Sequence, residues 1–238
     1  MHIYWTKINQ IIDESPEVKT YLLDLPAGFS WEEGSHTHFA FEGFNAGDKP
    51  NRGLIRHMSI CTLPHENAIG ITTRIKDQCS EFKSILREMK PGDEVAIFKT
   101  HSNVPLKREG KNVYLLSSGV GLATFRPLVL EYLSNAESVL SMHSLNVDSS
   151  KAYLFQDVFA TSDDDNFTVQ FADSRAEYYE AVKRFADDAD GLFYIVGSDD
   201  FLKENIELLR RNGVKREQIL LDKREQSIAE FLPVELSV

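Results

Sequence analysis

The chain has 238 residues, room for two domains, and its 42% hydrophobic and 26% charged residues are an ordinary globular composition. A net charge of -11 argues against a nucleic-acid binder, which needs clustered Lys and Arg to neutralise phosphate, and disfavours docking onto anionic membranes. No apolar run approaches the roughly 20 residues of a bilayer span, MHIYWTKINQ lacks the pattern of a signal peptide, and two cysteines, Cys61 and Cys79, supply neither a disulfide scaffold nor an iron–sulfur centre; the expectation is a reduced, cytoplasmic protein.

Up to about residue 108 the chain reads as short β-rich runs. VKTYLLDL (18–25), HTHFAF (36–41), LIRHMSIC (54–61), AIGITTRI (68–75) and DEVAIF (93–98) are separated by the turn-forming PAG, NAGDKPNRG, LPHEN and KPGD. One segment, SEFKSILREM (80–89), has helical spacing, with Phe82, Ile85, Leu86 and Met89 on one face and Ser80 as its N-cap. Short strands at regular spacing predict an antiparallel β-barrel.

From about residue 111 strands and helices alternate. NVYLLSS, SVLSMHS (138–144), FTVQFA, GLFYIVG and QILLD read as strands. ATFRPLVLEYL, SRAEYYEAVKRFADD opened by Ser174, and SDDFLKENIELLRRNG closed by Gly213 read as helices. Alternation of this kind predicts an α/β domain with a parallel sheet. The polar PLKREGK (105–111) marks the boundary, giving domains 1–108 and 109–238, and TSDDDN (161–166) reads as a solvated acidic loop.

Two stretches carry chemistry. In GLIRHMSICT, strand alternation puts Arg56 and Met58 on one face and Ser59 on the other. Alone, this fits an edge strand with a solvated arginine as well as a strand that holds an anionic, aromatic cofactor. LLSSGVGLATFRPL (115–128) is a strand, a turn with Gly119 and Gly121, then a helix, an arrangement that suits a pyrophosphate at a helix N-terminus. Thr124 stands where the dinucleotide fingerprint has its third glycine. A second strand-to-helix turn, at Gly197 and Ser198 in YIVGSDDFL, can face the same crevice.

In order along the chain, these pieces resemble the ferredoxin–NADP reductase superfamily of flavoprotein oxidoreductases. RHMSI resembles its flavin-binding R-x-Y-S signature and KDQCSEFKSILREMKPGDEVAI its flavin-pyrophosphate segment. SSGVGLATFRPL resembles the nicotinamide-nucleotide loop and YIVGSDDFL the Y-x-C-G-P region. The resemblance implies FAD on the barrel domain and NADH or NADPH on the α/β domain. Hydride would pass from nicotinamide to flavin, and electrons onward to a small redox protein or small-molecule acceptor. It implies that Arg56 neutralises the flavin diphosphate, that Met58 lies against the isoalloxazine beside His57, and that Ser59 hydrogen-bonds near flavin N5 as the catalytic contact. Ile75, Cys79 and Ser80 fall in the flavin-pyrophosphate segment, and Gly119, Gly121, Leu122, Thr124, Gly197 and Ser198 at the nicotinamide-nucleotide site.

The sequence departs from the family pattern at four places. Met58 replaces an aromatic, Val196 and Ser198 replace the cysteine and proline of C-G-P, and FKTHSNVPL replaces a G-P-x-G-x-F segment. Phe231 is the candidate to cover a flavin from the C-terminal end. These departures motivate a second reading, a flavin- or nucleotide-binding electron-transfer or regulatory module without NAD(P)H turnover. His36 and His38 share a strand face, and a barrel-surface or cofactor-adjacent role is favoured over metal ligation. The expected ribose loop, LNVDSSK (145–151), sets Asp148 against Ser144, Ser149, Ser150 and Lys151; lacking arginine, it leans towards NADH.

Overall fold

In a computed structural model, residues 2–159 and 165–233 are described, so positions 161–164 of the expected acidic loop lie outside the described residues. The chain separates into two compact units, Met1–Pro105 and Leu106–Val238.

The first unit is a closed antiparallel sheet. Its strands are β1 (Ile3–Ser15), β2 (Val18–Asp24), β3 (Ser35–Ala40), β4 (Ile55–Ser59), β5 (Ala68–Arg74) and, after helix α1 (Glu81–Glu88), β6 (Glu94–Ser102). They lie in the order β4-β3-β6-β1-β2-β5, and an antiparallel bridge from Ile60 to Ile71 joins the two edges. Inward residues Ile8, Tyr21, Leu23, Phe39, Ile71, Val95 and Ile97 build the core. Helix α1 adds Phe82 and Leu86, and the Tyr21 hydroxyl donates to the Leu86 carbonyl at 2.9 Å.

β1 is absent from the sequence reading, yet it is central. It pairs with β6 through Ile3–Lys7 and with β2 through Ile8–Ser15. Its buried positions are Thr6 and Ile8 while Trp5 is exposed, so it lacks the apolar alternation by which a strand is recognised. β6 runs four residues beyond the expected DEVAIF because Lys99, at φ 53°, absorbs a register shift against β3. Ser80 occupies the N-cap position of α1 in extended conformation, but contrary to expectation its hydroxyl makes no capping bond.

The second unit is a parallel sheet ordered β11-β10-β7-β8-β9. Its elements in chain order are β7 (Lys111–Ser118), α2 (Leu122–Ser134), β8 (Val139–Val147), α3 (Gln156–Phe159), β9 (Phe167–Ala172), α4 (Arg175–Phe185), β10 (Leu192–Val196), α5 (Asp199–Arg211), β11 (Ile219–Leu221) and α6 (Glu225–Phe231). The first strand is central, and the chain winds outward on one side of it and then on the other. All five residues of β10 are buried, which explains its legibility as an unbroken apolar run. Asn212 is the C-cap of α5 and Gly213 follows at φ 89°, its N–H bonded to Arg210. Two short helices, α3 and α6, are additions to the expected pattern, and β8 continues three residues past it to Val147. Phe231, on α6, packs on the core of its own unit with Lys223 Nζ 5.3 Å from the ring centroid.

A polar chain crosses the amino half of this sheet. Tyr114 and Asn112 donate to Asp188 at 2.9 and 2.8 Å, and Ser141 donates to Asn112 Oδ1 at 2.7 Å. Ser141 Oγ therefore accepts from His143 Nε2 at 2.8 Å, which leaves Nδ1 to accept from Thr168 at 2.6 Å. Burial holds the His143 pKa below the ordinary histidine value, opposed by Asp188. The unfolded chain then binds the proton more readily than the folded one, so stability falls as pH drops below about 6.5. We expect urea midpoints of the wild type to decline more between about pH 7.5 and pH 5 than those of His143→Gln; equal declines would remove His143 as the source of the slope.

Candidate functional site

In the first unit the site grows from β4 and the start of α1. Arg56 and Met58 share a face, and Met58 packs on the barrel core. The Arg56 guanidinium donates to the carbonyls of Arg52 and Ile55 at 3.0 and 2.7 Å, and its carbon lies 5.2 Å from the centroid of the Phe82 ring. Phe82 is the second residue of α1, so the arginine is delivered to the helix start by a cation–π contact.

Other cations converge there. Lys83 donates to the Arg74 carbonyl at 2.6 Å, and Arg87 bonds to the Lys76 carbonyl and, at 3.4 Å, to Cys79 Sγ. The Lys83 pKa is lowered by burial first and then by Arg74, Arg56 and Lys76, while Cys79 opposes. Arg56, Arg74, Lys76 and Lys83 thus lie near one another in a chain of net charge -11, Arg87 reaches back from the last turn of α1 to Cys79, and Glu81 is the carboxylate of the first turn. The helix N-terminus adds its own positive end and has no side-chain cap. This donor set fits a diphosphate, and the Met58 thioether fits an aromatic ring beside it.

The remaining expected flavin residues are placed as follows. Ser59 pairs with His36 across the strands. Ile75 is in the core, and Cys79 is half-buried with Ser84 Oγ at 3.5 Å. His57 lies on the strand face opposite Arg56, in a cluster of four histidines: ring centroids are 4.0 Å apart for His38 and His57, 5.6 Å for His36 and His57, and 4.2 Å for His36 and His101. Among the described residues no three His, Cys, Asp or Glu side chains are arranged to hold a metal ion.

In the second unit the site is the glycine turn. Gly119, at φ 51°, opens a 3-10 turn through Gly121 that runs directly into α2. No side chain caps this start, whereas Ser174 and Ser198 cap α4 and α5, each accepting at 3.3 Å from the N–H three residues on. Asn146, buried on β8, holds the turn from below: its Nδ2 donates to Ser117 Oγ at 2.9 Å and to the Gly119 carbonyl at 3.2 Å. The sequence reading assigned Asn146 to a loop, because β8 was expected to end at residue 144.

The glycines serve contacts within the protein. A Cβ on Gly121 would lie 2.8 Å from the Val196 carbonyl oxygen, and one on Gly197 would lie 2.5 Å from the Phe201 ring and 2.8 Å from Ser118 Oγ. The turns after β7 and β10 are therefore pressed together where the strand order reverses, the place at which open α/β sheets bind ligands. Leu122 and Thr124 bury their side chains at the start of α2. Arg74, Phe82, Lys83 and Asn146 are the site residues that motif spacing left unmarked; Phe82 was legible as core, and nothing local distinguishes the others.

No protein-family model matches the chain. The probable dihydroorotate dehydrogenase B (NAD(+)), electron transfer subunit, of Methanocella arvoryzae is 29% identical over 121 residues, 51% of this chain and 40% of that protein. The chain thus aligns with less than half the length of that curated relative. A ferredoxin NADP+ reductase from Neisseria gonorrhoeae, crystallised with bound FAD and NADP, superposes with a TM-score of 0.78 at 17% identity, covering 93% of this chain and 98% of that one. The CS-b5R domains of human Ncb5or in the NAD+ form give 0.75 at 16% identity, covering 93% of this chain and 70% of that one. Phthalate dioxygenase reductase gives 0.73 at 14% identity over 92% of this chain and 67% of that one. The closed antiparallel sheet followed by the five-stranded parallel sheet is the fold of the ferredoxin–NADP reductases.

Proposed function

We propose that this chain is an NAD(P)H-dependent flavoprotein reductase. It binds FAD on the antiparallel unit and a nicotinamide dinucleotide on the parallel one, and it passes electrons to a redox partner protein or a small acceptor. The observation that carries the reading is the gathering of Arg56, Arg74 and Lys83 around the uncapped start of α1 in a strongly acidic chain. Support comes from the glycine turn at the reversal of strand order and from the reductases that share the fold.

When bound, the two cofactors supply the hydride and electron chemistry, and the protein supplies position and electrostatics. Arg56 and the α1 N–H groups neutralise diphosphate charge. Met58 offers a soft wall to an aromatic ring, and Ser59 offers a neutral hydroxyl that both donates and accepts near a ring nitrogen. Asn146 fixes the turn, so the start of α2, which no side chain caps, is held ready for a pyrophosphate.

A second reading is an electron-transfer subunit that holds the cofactors without NAD(P)H turnover of its own. Val196 and Ser198, in place of the cysteine and proline of the family pattern, favour it, as does the electron-transfer-subunit name of the curated relative. Absorption spectra separate the two. Flavin bound to purified protein and bleached by NADH or NADPH supports the reductase, a flavin that neither bleaches supports the subunit, and failure of added FAD to bind rejects both.

Arg56→Ala should weaken FAD binding by about 1.5–3 kcal/mol, the worth of a charge-assisted bond, with partial recovery in Arg56→Lys. Unchanged FAD affinity in both variants would remove Arg56 from the site. Met58→Tyr should tighten FAD binding by about 0.5–1.5 kcal/mol through ring stacking. A folded variant with weaker affinity would make Met58 a core residue only. Asn146→Leu strands the buried Ser117 hydroxyl and loosens the turn, so nicotinamide-nucleotide binding should weaken by about 1–3 kcal/mol while FAD binding is spared. Parallel losses in both affinities would instead mean general unfolding.

A further inference from the structure

We infer that the second unit selects NADH over NADPH, because the sheet edge beside the glycine turn carries Asp148, Asp173 and Glu177 against Lys151, the one lysine there among the described residues. The inference rests on the nicotinamide reading of that unit and names its substrate.

β7, β8 and β9 end level: Ser118 is in register with Val147, and Val147 with Ala172. The chain continues from these three ends into the Gly119 turn, Asp148 and Asp173, and the Asp148 N–H bonds back to the Ala172 carbonyl at 3.1 Å. Neighbouring strands are roughly 4.8 Å apart, so the two aspartates lie one and two strand spacings from the turn, on the side where a dinucleotide held there places its adenosine ribose.

Ser150, Lys151 and Tyr153 already bond to the carboxylates of this surface. Asp148 is buried and accepts both the N–H and the hydroxyl of Ser150, at 2.9 and 2.6 Å. Lys151 bonds back to the Asp148 carbonyl at 3.0 Å, which leaves it at φ 59°. Its Nζ lies 2.5 Å from Asp173 Oδ2, and Tyr153, stacked on Phe171 at 4.4 Å, donates its hydroxyl to the other oxygen of Asp173. Glu177 stands beside this pair and accepts from the Asp173 N–H at 3.2 Å. Ser144 is buried within β8. On α2, Arg126 lies over the Phe155 ring, 5.6 Å from its centroid.

Charge decides the outcome. Lys151 and Asp173 are both solvent-exposed, so their attraction alone is too weak to hold the lysine against a competing dianion. A 2′-phosphate that took Lys151 would leave Asp148, Asp173 and Glu177 as three carboxylates around it. A ribose 2′-hydroxyl meets the same surface as a hydrogen-bond donor. The bonds from Lys151 and Tyr153 hold Asp173 below the ordinary carboxylate range, so that carboxylate stays ionised.

The test is calorimetric titration of the full chain with 5′-AMP and with adenosine 2′,5′-bisphosphate, at one salt concentration. The expected result is at least tenfold tighter binding of 5′-AMP. Asp173→Asn combined with Glu177→Gln frees Lys151 and removes two charges, and should shift that ratio at least tenfold towards the bisphosphate. A wild-type chain that binds the bisphosphate equally or more tightly overturns the selectivity while leaving the nicotinamide reading intact, and so does a ratio that the double variant leaves unmoved. If neither nucleotide binds, the nicotinamide reading itself fails and the selectivity falls with it.

Discussion

The contact between Gly121 and the carbonyl of Val196 is the constraint on which the candidate nucleotide site depends. A parallel sheet whose strand order reverses must bring the turns after two adjacent strands to the same point. Here the approach is close enough that a single Cβ would collide with main-chain oxygen at 2.8 Å, and main chain cannot rotate away. Gly197 meets the same demand from the other side, against Phe201 and Ser118. The glycines are thus explained by protein contacts, and the open helix start follows from them. With the 3-10 turn at Gly119–Gly121 pressed against β10, α2 begins directly beyond β7 with no side chain over its first N–H groups.

The turn is also supported by a buried polar arrangement. Asn146 donates both to the Ser117 hydroxyl and to the Gly119 carbonyl, which ties β8 to the turn. This fixes the backbone before any ligand arrives, the preorganisation from which anion binding at a helix start gains its strength. The antiparallel unit reaches the same end with charge rather than with a turn. Its cations are held close together, the Lys83 pKa is lowered by burial first and by its cationic neighbours second, and most are oriented by carbonyl groups or an aromatic ring.

The chemistry of the two units was unequally legible in the sequence. β10, α5 and the glycine turn stand out because an unbroken apolar run, a capped amphipathic helix and a pair of glycines are each local signals. β1 left no such signal, since an exposed Trp5 and a buried Thr6 invert the usual alternation, and its central place follows only from pairing with strands 18–24 and 94–102. The early end assigned to β8 had a larger consequence, because it moved Asn146 out of the sheet and so away from the turn it supports.

The sequence by itself determined the division into a β-rich and an α/β half, the strands that bury apolar runs, and the positions of Arg56 on a strand and of the glycines in strand-to-helix turns. These are properties of short windows, where periodicity and turn chemistry suffice. Only the tertiary structure decided which side chains meet. Arg56 lies over Phe82 and near Lys83 across 26 and 27 residues of chain, Asn146 reaches Ser117 across 29, and Lys151 is matched with Asp173 across 22. His57 was grouped by sequence with Arg56, yet strand alternation and pairing set it among His36, His38 and His101 on the opposite face. Such partners are fixed by strand register and by the path of the chain between strands, and a residue's nearest neighbours in sequence carry no trace of either.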